Sequence, residues 1–362
     1  MSPSPRRKKS LLITAGTLLS VTALVSTYIW QNTNVLGSAS FCDQRVESRE
    51  AQSALNSSGR VSEGRVQSAP GEPEFTCVIE RTSRFLGNTD QQVTLTTANE
   101  DGTFPYTTHV WKNPGARSYF KGETTGAVAP TGGYVVLPKS CWGKVGNIRG
   151  TRVIPPDGNG VSAVEATMTK GQAEPEGLAL LLARAARRVA ADAGCATPAL
   201  EKSPELAAPD GVRTTDAGKV CGLPGFSLPD DAVLTGVAEP DQEQISKGAK
   251  DVWACDLTLS GSAGATVSFT ATSDQNMVDA ALQDTHGFRE LPNGHGIAAI
   301  DQAVLHCAEG DVFLAAHWNR EYASALSDEH DRVSKVRGET FDNFVASAAG
   351  LYSCPDVTLT ER

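Results

Sequence analysis

A surplus of positive charge is missing from this chain. Its 362 residues carry 32 Lys and Arg against 42 Asp and Glu, a formal net charge of -10. Arg6, Arg7, Lys8 and Lys9 stand at the very start, so the remainder carries about -14. Such a surface repels phosphates, and no basic stripe interleaved with aromatics offsets it, which argues against any nucleic-acid partner. Apolar content of 40% and charged content of 20% are ordinary for a folded protein, so global disorder is excluded as well.

Motifs of catalysis are also lacking. "LSGSAG" has Ser260 where a nucleophile elbow requires its first glycine, and no S-x-x-K stands with its partner motifs. The histidines His109, His286, His295, His306, His317 and His330 are widely spaced rather than paired one helical turn apart, so no metal site is expected. "GHGIAA" at 294 leads toward a strand, not a helix, and no cofactor is expected either. His306 and Cys307 are adjacent, and neighbours in a strand point to opposite faces, so they form no dyad. No catalytic residue is therefore assigned. Two carboxylates brought together by the fold would leave no trace in sequence spacing, and a hydrolase of that kind is the alternative to a binding role.

What the sequence does have is an address. After "RRKK" come Ser10 to Trp30 without a charge, long enough as a helix to cross a hydrocarbon core of about 30 Å. Residues 1–9 read as a cytoplasmic tail, 10–30 as a single transmembrane signal anchor and 31–40 as a juxtamembrane linker, with everything beyond exported across the plasma membrane. The competing reading is a signal peptide cleaved near Gly37-Ser38-Ala39, which leaves the body in the same compartment. Lipid attachment at Cys42 is disfavoured by bulky Phe41 before it.

Eight cysteines in an exported chain read as disulfides. Their flanks repeat: "EFTCVIER" at 74 with "VWACDLTL" at 252, "QVTLTTA" at 92 with "ATVSFTA" at 265, and "GYVVLPKSCWG" at 133 with "GIAAIDQAVLHCAEG" at 296. Leu182, Ala185, Ala186, Val189 and Ala193 precede Cys195 at the offsets by which Phe341, Phe344, Val345, Ala348 and Tyr352 precede Cys354, and those offsets trace one helical face. The expected fold is α+β, with an N-terminal transmembrane helix followed by two homologous disulfide-stapled domains, each a mainly antiparallel sheet covered by helices. Repeat 1 spans 41–195, a Pro- and charge-rich linker 196–219, repeat 2 220–356, and a short tail 357–362. Of three connectivities per unit, the expected one joins first to second and third to fourth: Cys42 with Cys77, Cys141 with Cys195, Cys221 with Cys255 and Cys307 with Cys354.

The charged start, single anchor and "LPKSC…ARRVAADAGC" endings resemble membrane-anchored envelope proteins of high-GC actinobacteria, including tandem four-cysteine forms. The resemblance covers nearly the whole chain and implies surface exposure; it transfers no functional residue. The expected function is a membrane-anchored binding or envelope-interaction module with an envelope or protein partner, or an accessory subunit of a membrane complex. "FPYTTHVWKNPGARSYF", Phe104 to Phe120, is the segment where a ligand would meet aromatics, unless those aromatics are buried in edge packing.

Overall fold

The structure is a computed structural model that describes residues 17–29, 33–34, 37–55, 59–82, 89–100, 110–150, 152–197, 203–229, 232, 240–249, 251–259, 264–326 and 330–359. The first helix, α1 (residues 17–29), is exposed along its whole length, Leu18, Leu19 and Leu24 each by about 70%. Among the described residues no helix is long and apolar enough to cross a membrane. Residues 10–16 and 30 of the expected anchor lie outside the described residues.

The first unit opens with a small hairpin around Cys42, β1 (Ser40–Phe41) and β2 (Val46–Glu47), and helix α2 (Ser48–Ala54). Glu47 and Glu50 close a capping box at the start of α2. Its sheet is built from β3 (Val61–Ser68), β4 (Phe75–Thr82), β5 (Thr89–Glu100), β6 (Ser118–Lys121), β7 (Gly126–Ala129), β8 (Gly132–Val136), β11 (Val161–Lys170) and β12 (Glu205–Ala207), while β9 (Asn147–Arg149) and β10 (Arg152–Ile154) form a separate hairpin. Apolar residues alternate in these strands, as in β4, where Phe75, Cys77 and Ile79 are buried, so one face of the sheet is apolar. Helix α3 (Pro175–Asp192) lays Leu182, Ala185, Ala186 and Val189 on that face. Arg188 ties α3 to α2, with hydrogen bonds to both carboxylate oxygens of Glu50 at 2.7 and 3.0 Å and to Glu47 at 2.9 Å. Gly194, with φ of +63°, takes the left-handed conformation that ends the helix.

The second unit contains β13 (Arg213–Thr214), β14 (Pro240–Ala249), β15 (Val252–Leu259), β16 (Thr266–Thr272), α4 (Gln275–Ala281), β17 (Arg289–Glu290), β18 (Gly296–Ala298), β19 (Gln302–Cys307), β20 (Gly310–Trp318), α5 (Arg320–Leu326) and α6 (His330–Ala349). Phe341, Phe344, Val345 and Ala348 of α6 are buried on its sheet, with Phe344 among Phe226, Trp253 and Phe269.

Both sheets are eight-stranded, and every strand pairing is antiparallel. Seven strands share one order: β3-β4-β5-β11-β8-β7-β6 in the first is β14-β15-β16-β20-β19-β18-β17 in the second. Strand count aligns β8 with β19, so "GIAAIDQAVLHC" spans two strands where "GYVVLPKSC" spans one strand and a turn. All eight cysteines are paired in the expected connectivity, Cys42–Cys77, Cys141–Cys195, Cys221–Cys255 and Cys307–Cys354.

The eighth strand of each sheet comes from the segment between the units. β12 adds beside β6 in the first sheet, and β13 adds beside β14 in the second. The Pro- and charge-rich stretch is thus a strap stitched to both sheets. The inner faces of the two sheets meet in a shared apolar cluster that includes Tyr134, Val136 and Ala163 of the first unit and Ala254, Met277 and Ala280 of the second. The layers therefore run helices, sheet, sheet, helices, with α4 lodged between the sheets on the inner face of β20.

Candidate functional site

The joint between the sheets buries three charged side chains together, Arg117, Glu165 and Asp256. Across the second sheet, register lines up Gln244, Asp256, Ser268 and His317 on its inner face. Across the first, it lines up Thr96, Glu165, Tyr134, Ala127 and Tyr119. Between them runs the loop from Val110 to Arg117, whose Pro114–Ala116 turn rests on β14 and β15. Gly115 permits this, because a Cβ there would stand 2.4 Å from the Gln244 carbonyl oxygen and 2.5 Å from the Asp256 nitrogen.

Arg117, only 4% exposed, donates from Nε to the Lys112 carbonyl at 2.9 Å and from Nη1 to the Gly132 carbonyl at 3.3 Å. Burial lowers its pKa, opposed by Tyr134, Tyr119, Asp256 and Glu165. Burial pushes the Glu165 carboxyl up to about 7, against the Trp111 Nε1–H donated at 2.5 Å and the Arg117 charge. Burial pushes Asp256 up to about 7 as well, against the Ser268 hydroxyl donated at 2.6 Å, Arg117 and the backbone N–H groups of Gly115 and Ala116. One carboxylate suffices to balance the guanidinium; ionising the second leaves an uncompensated buried charge. Two further ties cross the joint. Thr125 Oγ1 lies 2.7 Å from Asp274 Oδ2, and Lys139 Nζ lies 2.8 Å from Asp279.

At the rim of the joint opens a cleft of about 270 Å³. Lys112, Asn113 and Pro114 of the first unit form one wall; Thr266, Ser268, His317, Asn319 and Glu321 of the second form the other. Asn319 Oδ1 accepts from the backbone N–H groups of Thr266 and Tyr322, at 3.0 and 2.8 Å, which fixes the start of α5. Burial lowers the His317 pKa, Asp301 opposes the shift, and Lys112 and Arg337 add to it. The ring is therefore neutral at pH 7. Ser268 directs its proton at Asp256 and not at His317, so the cleft presents hydrogen-bonding groups, an ammonium and a carboxylate rather than an activated nucleophile. A larger, open trough of about 1030 Å³ runs past Asn34, Ser38 and Arg49 of the first unit alone.

Of what the sequence singled out, the segment from Phe104 to Phe120 supplies the wall of Lys112, Asn113 and Pro114, and His317 faces it; the other residues lie elsewhere. Cys307 is in a disulfide and His306 pairs with Asp311 at 2.7 Å. His295 ends the Pro292–Gly294 turn, and His317 is a sheet-face residue facing the cleft. His109, and the side chain of His330, lie outside the described residues, as do Phe104 to His109. The described aromatics of that segment, Trp111, Tyr119 and Phe120, are buried and offer no exposed surface to a ligand. Cys42, Glu63 and Cys77 sit as close as metal ligands do, but both sulfurs are consumed in their disulfide and Glu63 accepts the Cys42 N–H. Sequence reading missed Arg117, Glu165 and Asp256. The one signal is a charge inside an alternating strand, "AVEAT" and "ACDLT", and on the polar beat of such a strand a charge reads as solvated. No family model matches this chain, and no curated protein or solved structure was found to be similar to it.

Proposed function

We propose that this chain is a binding protein of the cell envelope, tethered to the plasma membrane through its N-terminal helix with both sheets outside. The observation that carries the reading is the double origin of the rim cleft. One wall comes from each unit, so the site exists only in the joined pair, which gives the duplication a use. Its groups suit a polar ligand held by hydrogen bonds, with an anionic moiety against Lys112. Support for the tether is α1, whose apolar residues face outward all round; a helix of that kind needs lipid or protein to cover it. The disulfides agree with an oxidising compartment.

The second reading, a carboxylate hydrolase of wall material, draws on Glu165 and Asp256, both poised near neutrality. Their residues are 9% and 6% exposed, so substrate would have to part the sheets to reach them. The two readings separate in one assay. Detergent-solubilised full chain is mixed with isolated cell walls: retention without soluble products, lost in the Lys112→Glu/His317→Ala variant, is the expected result. Products that vanish in Glu165→Gln or Asp256→Asn would replace binding with hydrolysis. Carbonate-washed membranes are expected to keep the full chain and to release one that lacks residues 1–32.

A further inference from the structure

The two sheets differ at one edge. In the second unit the outer edge of β14 is covered by β13, with Arg213 opposite Glu243 and Thr214 opposite Gln242. Arg213 contacts the Glu243 carboxylate at 2.6 Å, and that carboxylate also accepts the Cys221 N–H at 2.7 Å. Upstream along the same strap the Asp210 N–H donates to the Ile245 carbonyl at 2.7 Å, and the Asp210 carboxylate meets Lys247 at 3.3 Å.

Register places Glu63 where Glu243 stands. Glu63 lies opposite Ile79 and Val66 opposite Cys77 in the first unit, as Glu243 lies opposite Leu257 and Ile245 opposite Cys255 in the second. Glu63 likewise accepts the N–H of its unit's first cysteine, Cys42. Yet among the described residues no strand lies on the outer edge of β3. Arg213 precedes Cys221 by eight residues, and the position eight before Cys42 is Asn34, whose side chain bonds Ser48 instead.

We infer that the β3 edge, at Ser62 and Glu63, is a docking site for an extended segment of a partner protein, bound as β13 is bound to β14. The occupant carries a basic residue opposite Glu63, whose exposed carboxylate takes the place that Glu243 has toward Arg213. Beyond Glu63 the strand bulges before Val66, with Arg65 exposed in the bulge. That bulge limits pairing to a few residues, so the contact is weak and selective rather than an open template for aggregation. The site is remote in sequence from the rim cleft and does not depend on it.

The probe is a soluble peptide with the sequence of residues 208–216 of this chain, added to the detergent-solubilised full chain and read by amide hydrogen exchange. Protection of the β3 amides is expected. Replacing the peptide arginine by alanine, or Glu63→Gln in the chain, should weaken binding by up to about fivefold, as for one exposed ion pair. Glu63→Gln keeps an acceptor for the Cys42 N–H, and the two changes together should cost no more than either alone. Unchanged β3 exchange, or a peptide effect indifferent to Glu63→Gln, overturns the site. Protection of β3 that rises with protein concentration in the absence of peptide overturns the partner in favour of a second copy of the chain.

Discussion

At the scale of single residues, Gly115 does what no other residue can. It lets the Pro114–Ala116 turn lie directly on the backbone of β14 and β15, which brings Lys112 to the cleft and Arg117 to the buried carboxyls. Gly115→Ala sets a methyl group against two backbone atoms that have no room to move, and overpacking of that kind costs about 1–3 kcal/mol. Urea unfolding should show this loss, with the disulfides intact and retention on cell walls reduced as the Lys112 wall lifts. Much of the residue scale was legible beforehand. The repeat of flanks marked the two four-cysteine units, within which the pairing expected among three is the one found, and counting back from Cys195 and Cys354 gave the buried helix positions. Arg117 was not legible. It sits in a Pro-Gly turn, where an arginine is ordinarily solvated, and only contact with a distant strand makes it the counter-charge of the joint.

At the scale of elements, the strap between the units departs furthest from expectation. Pro, Ala and charge in "ALEKSPELAAPDGVRTTDAGK" are the composition of a semi-extended spacer, and short edge strands carry no alternation long enough to betray them. Pairing with a pre-existing sheet edge is a non-local event, so no local pattern announces it. The strap matters energetically because the Glu243 side chain is fully buried between the Cys221 N–H and Arg213. Arg213→Ala leaves that carboxylate without its cation, and because Arg213 itself is half exposed the loss is about 1–3 kcal/mol. Arg213→Ala with Glu243→Gln should recover part of the loss in the same urea titration. No recovery would mean that the loss does not come from an uncompensated Glu243 charge. The longer elements were plain by contrast: β5 and β16 alternate, and α3 and α6 are amphipathic over several turns.

At the scale of the molecule, the joint makes stability depend on pH. Glu165 and Asp256 both have folded-state pKa values of about 7, above those of unfolded carboxyls. Between about pH 4 and pH 7 the folded chain therefore holds protons that the unfolded chain has released. The stability this contributes is fully present below about pH 4 and is lost as pH rises through 7. The loss is on the order of a few kcal/mol for each carboxyl, because each pKa unit is worth about 1.4 kcal/mol. The melting temperature should fall between pH 5 and pH 8, and Glu165→Gln or Asp256→Asn should flatten that slope. An unchanged slope in both variants would place the pH dependence elsewhere. Nothing in the alternation of either strand distinguished a face turned to water from a face turned to the other sheet, which is why the joint stayed invisible to the sequence.

The position of β12 in the chain sets an order of assembly. Synthesis runs from the amino terminus, and Glu205–Ala207 completes the first sheet before any strand of the second exists. For that interval the first unit is a finished sheet with a bare inner face, Tyr134, Val136 and Ala163 open to water and Arg117 without Asp256. The second unit then closes on a surface already laid down, as a lid of the same shape cut from the same pattern. Until it does, the half-made protein is a sticky nascent chain, the stage at which a chaperone would find the most to hold.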